Sequence, residues 1–200
     1  MFRAAFAAAC CVSTAAAAHA FVIPATLPEL DGPSAVSVSF VSSSAGARGS
    51  LYFLGYETPG GAPAAITPAA DSDSNNLGAF LFENKGPTRS NVAGLGVIPG
   101  GATLHFAYLV TQGVSVAPTG SLFRTDVAAD LNYFGSTDLG MEDGERVWRM
   151  GIEDIRDENR SDWDYNDAVF EVRAFPVPTP GTIALAAAGV GLAAVRRRKG

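Results

Sequence analysis

Apolar residues recur along this chain at every second position, in short runs. "AVSVSFV" (Ala35 to Val41) alternates, with Val36, Val38 and Phe40 on one face. "SLYFLGYE" (Ser50 to Glu57), "LGAFLFEN" (Leu77 to Asn84), "ATLHFAYLV" (Ala102 to Val110) and "GVSVA" (Gly113 to Ala117) follow. The series ends with "VWRMGIEDI" (Val147 to Ile155) and "AVFEVRAF" (Ala168 to Phe175). Period-two alternation and β-rich composition predict strands, and the helical period is nearly absent. Between the runs lie "TPGGAP", "PAADSDSNN", "NKGPT", "IPGG" and "APTG", which read as tight turns. Short strands with such punctuation predict an all-β domain, an antiparallel β-sandwich of jelly-roll-like character. "NVAGLGVIPGG" lacks the G-x-G-x-x-G spacing and reads as a strand and a turn. "DVAADLNYFGSTDLGMEDGE" (Asp126 to Glu145) reads as a long polar connection with one short helical turn around Ala128 to Leu131.

The two ends break this pattern. Arg3 precedes an Ala-rich apolar run, Ala4 to Ala18, and Ala18-His19-Ala20 offers small residues for a cut before Phe21. That layout predicts a signal peptide over residues 1–20, cut by signal peptidase. Cys10 and Cys11 lie inside it, so the mature chain carries no cysteine and no disulfide or thiolate ligand. At the other end, Val177-Pro178-Thr179-Pro180 precedes an uncharged run, Gly181 to Val195, and then Arg196, Arg197, Arg198 and Lys199. The run predicts a short transmembrane helix held by its basic cluster on the cytoplasmic side. This tail, residues 176–200, resembles the PEP-CTERM sorting signal, with Thr179 where the usual motif has Glu. The resemblance implies export through the inner membrane and an exosortase-type membrane enzyme as partner. After processing of the tail, the protein would sit at the cell surface or outside the cell.

Between these ends, residues 21–175 make one domain. Residues 21–180 carry nine basic against twenty acidic residues, a net charge near −11. Such a domain repels nucleic acid and anionic membranes.

Much of the charge sits in one place. Glu153, Asp154, Asp157, Glu158, Asp162, Asp164 and Asp167 are offset locally only by Arg156 and Arg160. A solvated acidic loop is the ordinary fate of such a run. Here it is pinned between two predicted strands, and the alternation breaks inside it. Asp162, Asp164 and Asn166 share the parity of Ala168, Phe170 and Val172, so a continuous strand would aim them at the core. A bulge or turn is therefore predicted near Asn166-Asp167. Converging carboxylate and carbonyl oxygens suit Ca²⁺, which takes six to eight. The D-x-D-x-N start is not an EF-hand, because Asp167 stands at the glycine position and Arg173 at the bidentate glutamate. With His105 the only histidine left, zinc or copper is disfavoured.

"GIEDI…SDWDYNDAVFEV", from Gly151 to Val172, resembles the closing motif of a family of bacterial extracellular β-domains found in calcium-rich surface proteins. Residue by residue, the resemblance implies a Ca²⁺ site of Glu153, Asp154, Asp162, Asp164, Asn166 and Asp167. The expected function is a non-catalytic, Ca-stabilised surface module with a structural or binding role in the exopolysaccharide layer. Two alternatives remain open at this stage. Trp163 and Tyr165 could stack on sugar rings in a carbohydrate-binding module. Two of the carboxylates could serve a glycoside hydrolase.

Overall fold

The computed structural model describes residues 20–59, 66–85, 92–115, 117–156 and 161–178. Within them, ten strands form two antiparallel sheets. The first sheet contains β1 (Ser34–Ser42), β5 (Val92–Ile98), β8 (Phe134–Glu142), β9 (Glu145–Ile152) and β10 (Ala168–Pro176). Its order is β5-β1-β10-β9-β8. The second contains β2 (Arg48–Glu57), β3 (Thr67–Pro68), β4 (Ala79–Glu83), β6 (Thr103–Gln112) and β7 (Leu122–Arg124). There β2 pairs with β6 on one side and with β3 and β4 in succession on the other, and β7 follows β6.

The alternation read from the sequence is what closes the sandwich. Even-numbered residues of β10, Ala168, Phe170, Val172 and Ala174, are buried, as are Val36 and Val38 of β1. They face Leu104, Phe106 and Tyr108 of β6 within one core cluster. The ring of Phe170 lies 5.2 Å from Phe106 and 6.4 Å from Phe82, both on the opposite sheet. Aromatic burial of this kind is worth about 3–5 kcal/mol per ring by truncation. Odd-numbered positions carry the outer face. Arg149 pairs with Glu171 at 2.7 Å, and Arg173 reaches Glu171 and Glu142 at 2.9 and 3.1 Å. Such surface pairs contribute little, about 0–1 kcal/mol each.

Two sequence expectations need correction. The expected strand Gly113 to Ala117 is not found: Gly113–Ser115 and Ala117 belong to the β6–β7 turn, where Val114 and Ala117 exchange backbone hydrogen bonds at 2.9 and 3.2 Å. The connection from Asp126 to Glu145 is also shorter than its composition suggests. Its helical turn is a 3-10 helix, Ala128–Tyr133, and Phe134–Glu142 is strand β8. β8 hides from pattern reading because Gly135 and Ser136 take buried places that apolar residues usually fill. The clue was Asp143-Gly144, both at positive φ (50° and 86°), the dipeptide of a two-residue hairpin turn. Beside β8 runs the N-terminal segment, with Val22 and Ser136 exchanging hydrogen bonds at 2.7 and 3.1 Å.

Candidate metal centre

β9 and β10 are neighbours, with Ile152 opposite Ala168. The chain therefore leaves the sheet at Glu153 and returns at Asp167, and the acidic residues sit where the two strands part. The return is not extended. Trp163 and Tyr165 both adopt left-handed backbone, φ 53° and 56°. The break thus falls one and three residues before Asn166, next to the predicted place. Each such non-glycine residue costs about 1–3 kcal/mol and persists only where its surroundings hold it. Here the two aromatic side chains do the holding. The Tyr165 ring is buried, and its hydroxyl donates to the carbonyl of Asn132 at 2.8 Å. Trp163 stacks on Tyr133 at 5.9 Å with 24° between planes. Local side-chain bonds shape the bend further. The Trp163 N–H donates to Ser161 Oγ at 3.1 Å, and the Asn166 N–H to Asp164 Oδ1 at 3.1 Å.

The motif's glycine has a steric reason. A Cβ on Gly151 would lie 2.2 Å from the carbonyl oxygen of Tyr165. Gly135 is its cross-strand partner on β8, and a Cβ there would meet Phe21 at 2.6 Å and Tyr165 at 3.2 Å. The two glycines form a floor on which the bend and Phe21 rest.

On this frame the sequence-predicted residues separate into groups. Glu153, Asp162 and Asp164 bring one carboxylate oxygen each to within 4.8 Å of one another. Glu153 is 0 % exposed, and among the described residues no hydrogen bond of good geometry reaches either carboxylate oxygen, although the Ser161 hydroxyl and the Ile155 N–H lie near enough to favour its charged form. Burial, with the charges of Asp167 and Asp162 added, pushes its pKa up to about 7. Asp162 and Asp164 are exposed. The Asn166 side-chain amide turns onto Asp164 Oδ2.

Asp154 and Asp167 form a second group. Asp154 is 3 % exposed, and its Oδ2 has no hydrogen-bond partner among the described residues. Burial and the neighbouring Asp167 raise its pKa to about 7, with Lys85 opposing. Asp167 is raised too, chiefly by burial. Its Oδ2 accepts the backbone N–H of Asp154 at 2.8 Å. Its carbonyl accepts Ser43 Oγ at 2.6 Å and Asn84 Nδ2 at 3.3 Å.

The described cations nearby, Arg156 and Lys85, are turned elsewhere. Arg156 pairs with Asp130 at 2.9 Å and lies over the rings of Phe123 and Tyr133, at 4.5 and 5.2 Å. Lys85 Nζ donates to the carbonyl of Gly46 at 2.8 Å. Among the described residues, none of the five carboxylates takes part in an ion pair. Buried carboxylates without partners are costly unless something cationic reaches them. The donor set is all hard oxygen, as Ca²⁺ prefers.

The chain matches no protein-family model, and a search of curated proteins also finds no match. The site's chemistry therefore rests on its own geometry.

Other residues singled out in the sequence fall as follows. Val177 N–H donates to the Pro33 carbonyl at 2.8 Å, so the chain stays tied to the sandwich as far as Val177. Pro178 is the last described residue. Thr179, Pro180, Arg196, Arg197 and Arg198 lie outside the described residues, as do residues 1–19 and Asp157 and Glu158. Among the described residues no helix is long and apolar enough to cross a membrane. His105 is buried in β6, 3.4 Å from Thr125 Oγ1 and 3.7 Å from Glu57. Burial lowers its pKa. Tyr108, Ser43, Asn84 and Lys85 adjoin the acidic cluster from strands and loops far away in sequence, and no local signal marks them.

Proposed function

We propose that this protein is an exported, surface-sorted, non-catalytic β-sandwich whose acidic bend binds Ca²⁺. The ion would staple β9 to β10 and fix the domain for a structural or binding role in the exopolysaccharide layer. The observation that carries this reading is Glu153. A fully buried carboxylate with no well-formed hydrogen bond to either oxygen, gathered with Asp162 and Asp164, is a poor stable state by itself and a good half of a cation site. Asp162 and Asp164 remain exposed, so the ion can enter and complete its coordination with backbone oxygens and water. In this reading signal peptidase removes residues 1–20. An exosortase-type enzyme acts at the tail, whose apolar run is the short membrane helix. The jelly-roll-like reading of the sandwich draws on the pairing of the first strand with the last, β1 with β10.

The deciding experiment is thermal melting in EDTA and in millimolar Ca²⁺. Free ion at several hundred times Kd adds about 3–4 kcal/mol of stability. An unchanged melting temperature sinks the calcium reading.

One observation favours carbohydrate binding as a second reading. Trp163 is half-buried beside the site, stacked on Tyr133 with the Tyr165 ring 6.3 Å away, an aromatic group that remains partly open to solvent. Tyr165 does not join it, being buried with its hydroxyl committed. Binding on a glycan array that is lost in Trp163→Ala would support this role. A hydrolase using two of these carboxylates is the weaker alternative, because three oxygens gathered this closely suit a shared cation better than an acid–base pair.

A further inference from the structure

Glu153 and Asp154 are adjacent in sequence and both buried, but they face different surroundings. Glu153 gathers with Asp162 and Asp164, and its charge acts on the Tyr165 phenol. Asp154 lies with Asp167, whose Oδ2 accepts its backbone N–H at 2.8 Å. The Tyr108 hydroxyl, on β6 of the opposite sheet, packs on Gly49, where a Cβ would lie 2.3 Å from it. Asn84 ties that place to Asp167, accepting the Gly49 N–H at 2.8 Å and donating to the Asp167 carbonyl at 3.3 Å. Both sides hold buried polar atoms that no hydrogen bond of good geometry reaches among the described residues. On one side these are the two oxygens of Glu153. On the other they are Asp154 Oδ2 and the hydroxyl of Tyr108, which is 0 % exposed. Asp167 stands between the groups, its charge felt by both acidic residues.

Charge counting points the same way. Five carboxylates crowd this end of the sandwich, and one divalent ion matches the formal charge of only two of them. Lys85 is the one described cation whose charge acts on Asp154, and its ammonium is held by Gly46. Uncompensated buried charge costs several kcal/mol per group.

We propose that the bend binds two divalent cations: an outer one on Glu153, Asp162 and Asp164, and an inner one on Asp154 and Asp167 with the Tyr108 hydroxyl as a neutral oxygen. The inner ion would bridge the sheets, linking the β9–β10 end to β6. The outer ion would set the bend. The inference rests on the calcium reading above, and stoichiometry separates the two.

The test uses the full chain, stripped of metal and titrated with CaCl₂ alone. Calorimetry gives the stoichiometry, and elemental analysis after dialysis checks it. Two ions per chain are expected. Asp162→Asn with Asp164→Asn should leave one, and Asp154→Asn should also leave one. Tyr108→Phe keeps both carboxylate sets and should weaken the inner ion about tenfold, the loss of one oxygen ligand worth ~1.4 kcal/mol. Near-UV circular dichroism monitors the fold of each variant. One ion per chain in the wild type overturns the inner site and leaves the calcium reading standing. Two ions that persist in Asp154→Asn also overturn it. No calcium bound at all removes both.

Discussion

Asp167 Oδ2 accepts the backbone N–H of Asp154 at 2.8 Å, tying the first residue before β10 to the second residue beyond β9. Asp167 thus has two roles that substitution can separate. Asp167→Ala removes the acceptor as well as the charge and should cost about 1–3 kcal/mol in EDTA, since a part-buried N–H loses its partner. Asp167→Asn keeps an acceptor oxygen and removes one of the crowded charges. In EDTA it should be at least as stable as the wild type, and in Ca²⁺ it should gain less. Denaturant midpoints in both buffers check this. If both variants lose equally in EDTA, the tie is not what Asp167 supplies.

The pH dependence of the metal-free protein has a definite sign. Glu153 and Asp154 are raised to about 7 from ordinary values of 4.5 and 3.8. Between about pH 4 and 7 the folded chain holds protons that the unfolded chain has released. These groups therefore stabilise the metal-free fold most fully below about pH 4. That contribution is lost as pH rises through about 7. Calcium must displace the same protons, so its affinity should climb over this range. In EDTA the melting temperature should fall between about pH 5 and pH 8, while the increment added by Ca²⁺ grows. A calcium increment that is flat across this range would remove the buried carboxylates from the site.

Gly151 is where the bend touches the sheet. Because a Cβ would lie 2.2 Å from the Tyr165 carbonyl, Gly151→Ala must push the bend outward. The expected cost is about 1–3 kcal/mol from overpacking. Because Asp162 and Asp164 ride on that bend, calcium affinity should fall by tenfold or more, ~1.4 kcal/mol. Calorimetry on the folded variant measures it. Unchanged affinity with lowered stability would mean that the bend reaches the ion independently of its glycine floor.

Much of this was legible in the chain. Val36 and Val38 on one strand and Phe170 and Val172 on another gave the faces of the sandwich, because burial on one side enforces period two. The conflict of parity between Asp164 and Phe170 correctly demanded a break before β10. Its left-handed form was not legible, because Trp163 and Tyr165 are held by Tyr133, Asn132 and Gly151, all distant in sequence. β8 escaped for a related reason. Its buried Gly135 and Ser136 are chosen by the N-terminal segment that packs on them, and no local rule reports such a neighbour. The six acidic and amide residues read as one site divide, in three dimensions, about Asp167. Spacing along a sequence says that side chains can converge, and the backbone alone decides on which side.

The outer site can be located without a crystal, because the chain places an indole inside it. Trp163 stands between Asp162 and Asp164, half-buried and stacked on Tyr133, while Trp148 belongs to the buried core cluster. Terbium is a hard cation that takes oxygen ligands as calcium does, and it emits when a nearby indole transfers energy to it. Excitation of the wild type should give strong terbium emission that added Ca²⁺ chases away. Trp163→Phe preserves an aromatic ring against Tyr133, so the bend should keep its shape while the donor is lost. Emission should then drop by most of its intensity, whereas Trp148→Phe should leave the larger part. Undiminished emission from Trp163→Phe would place the ion away from the bend, and with it the assignment of Asp162 and Asp164 as ligands would fall.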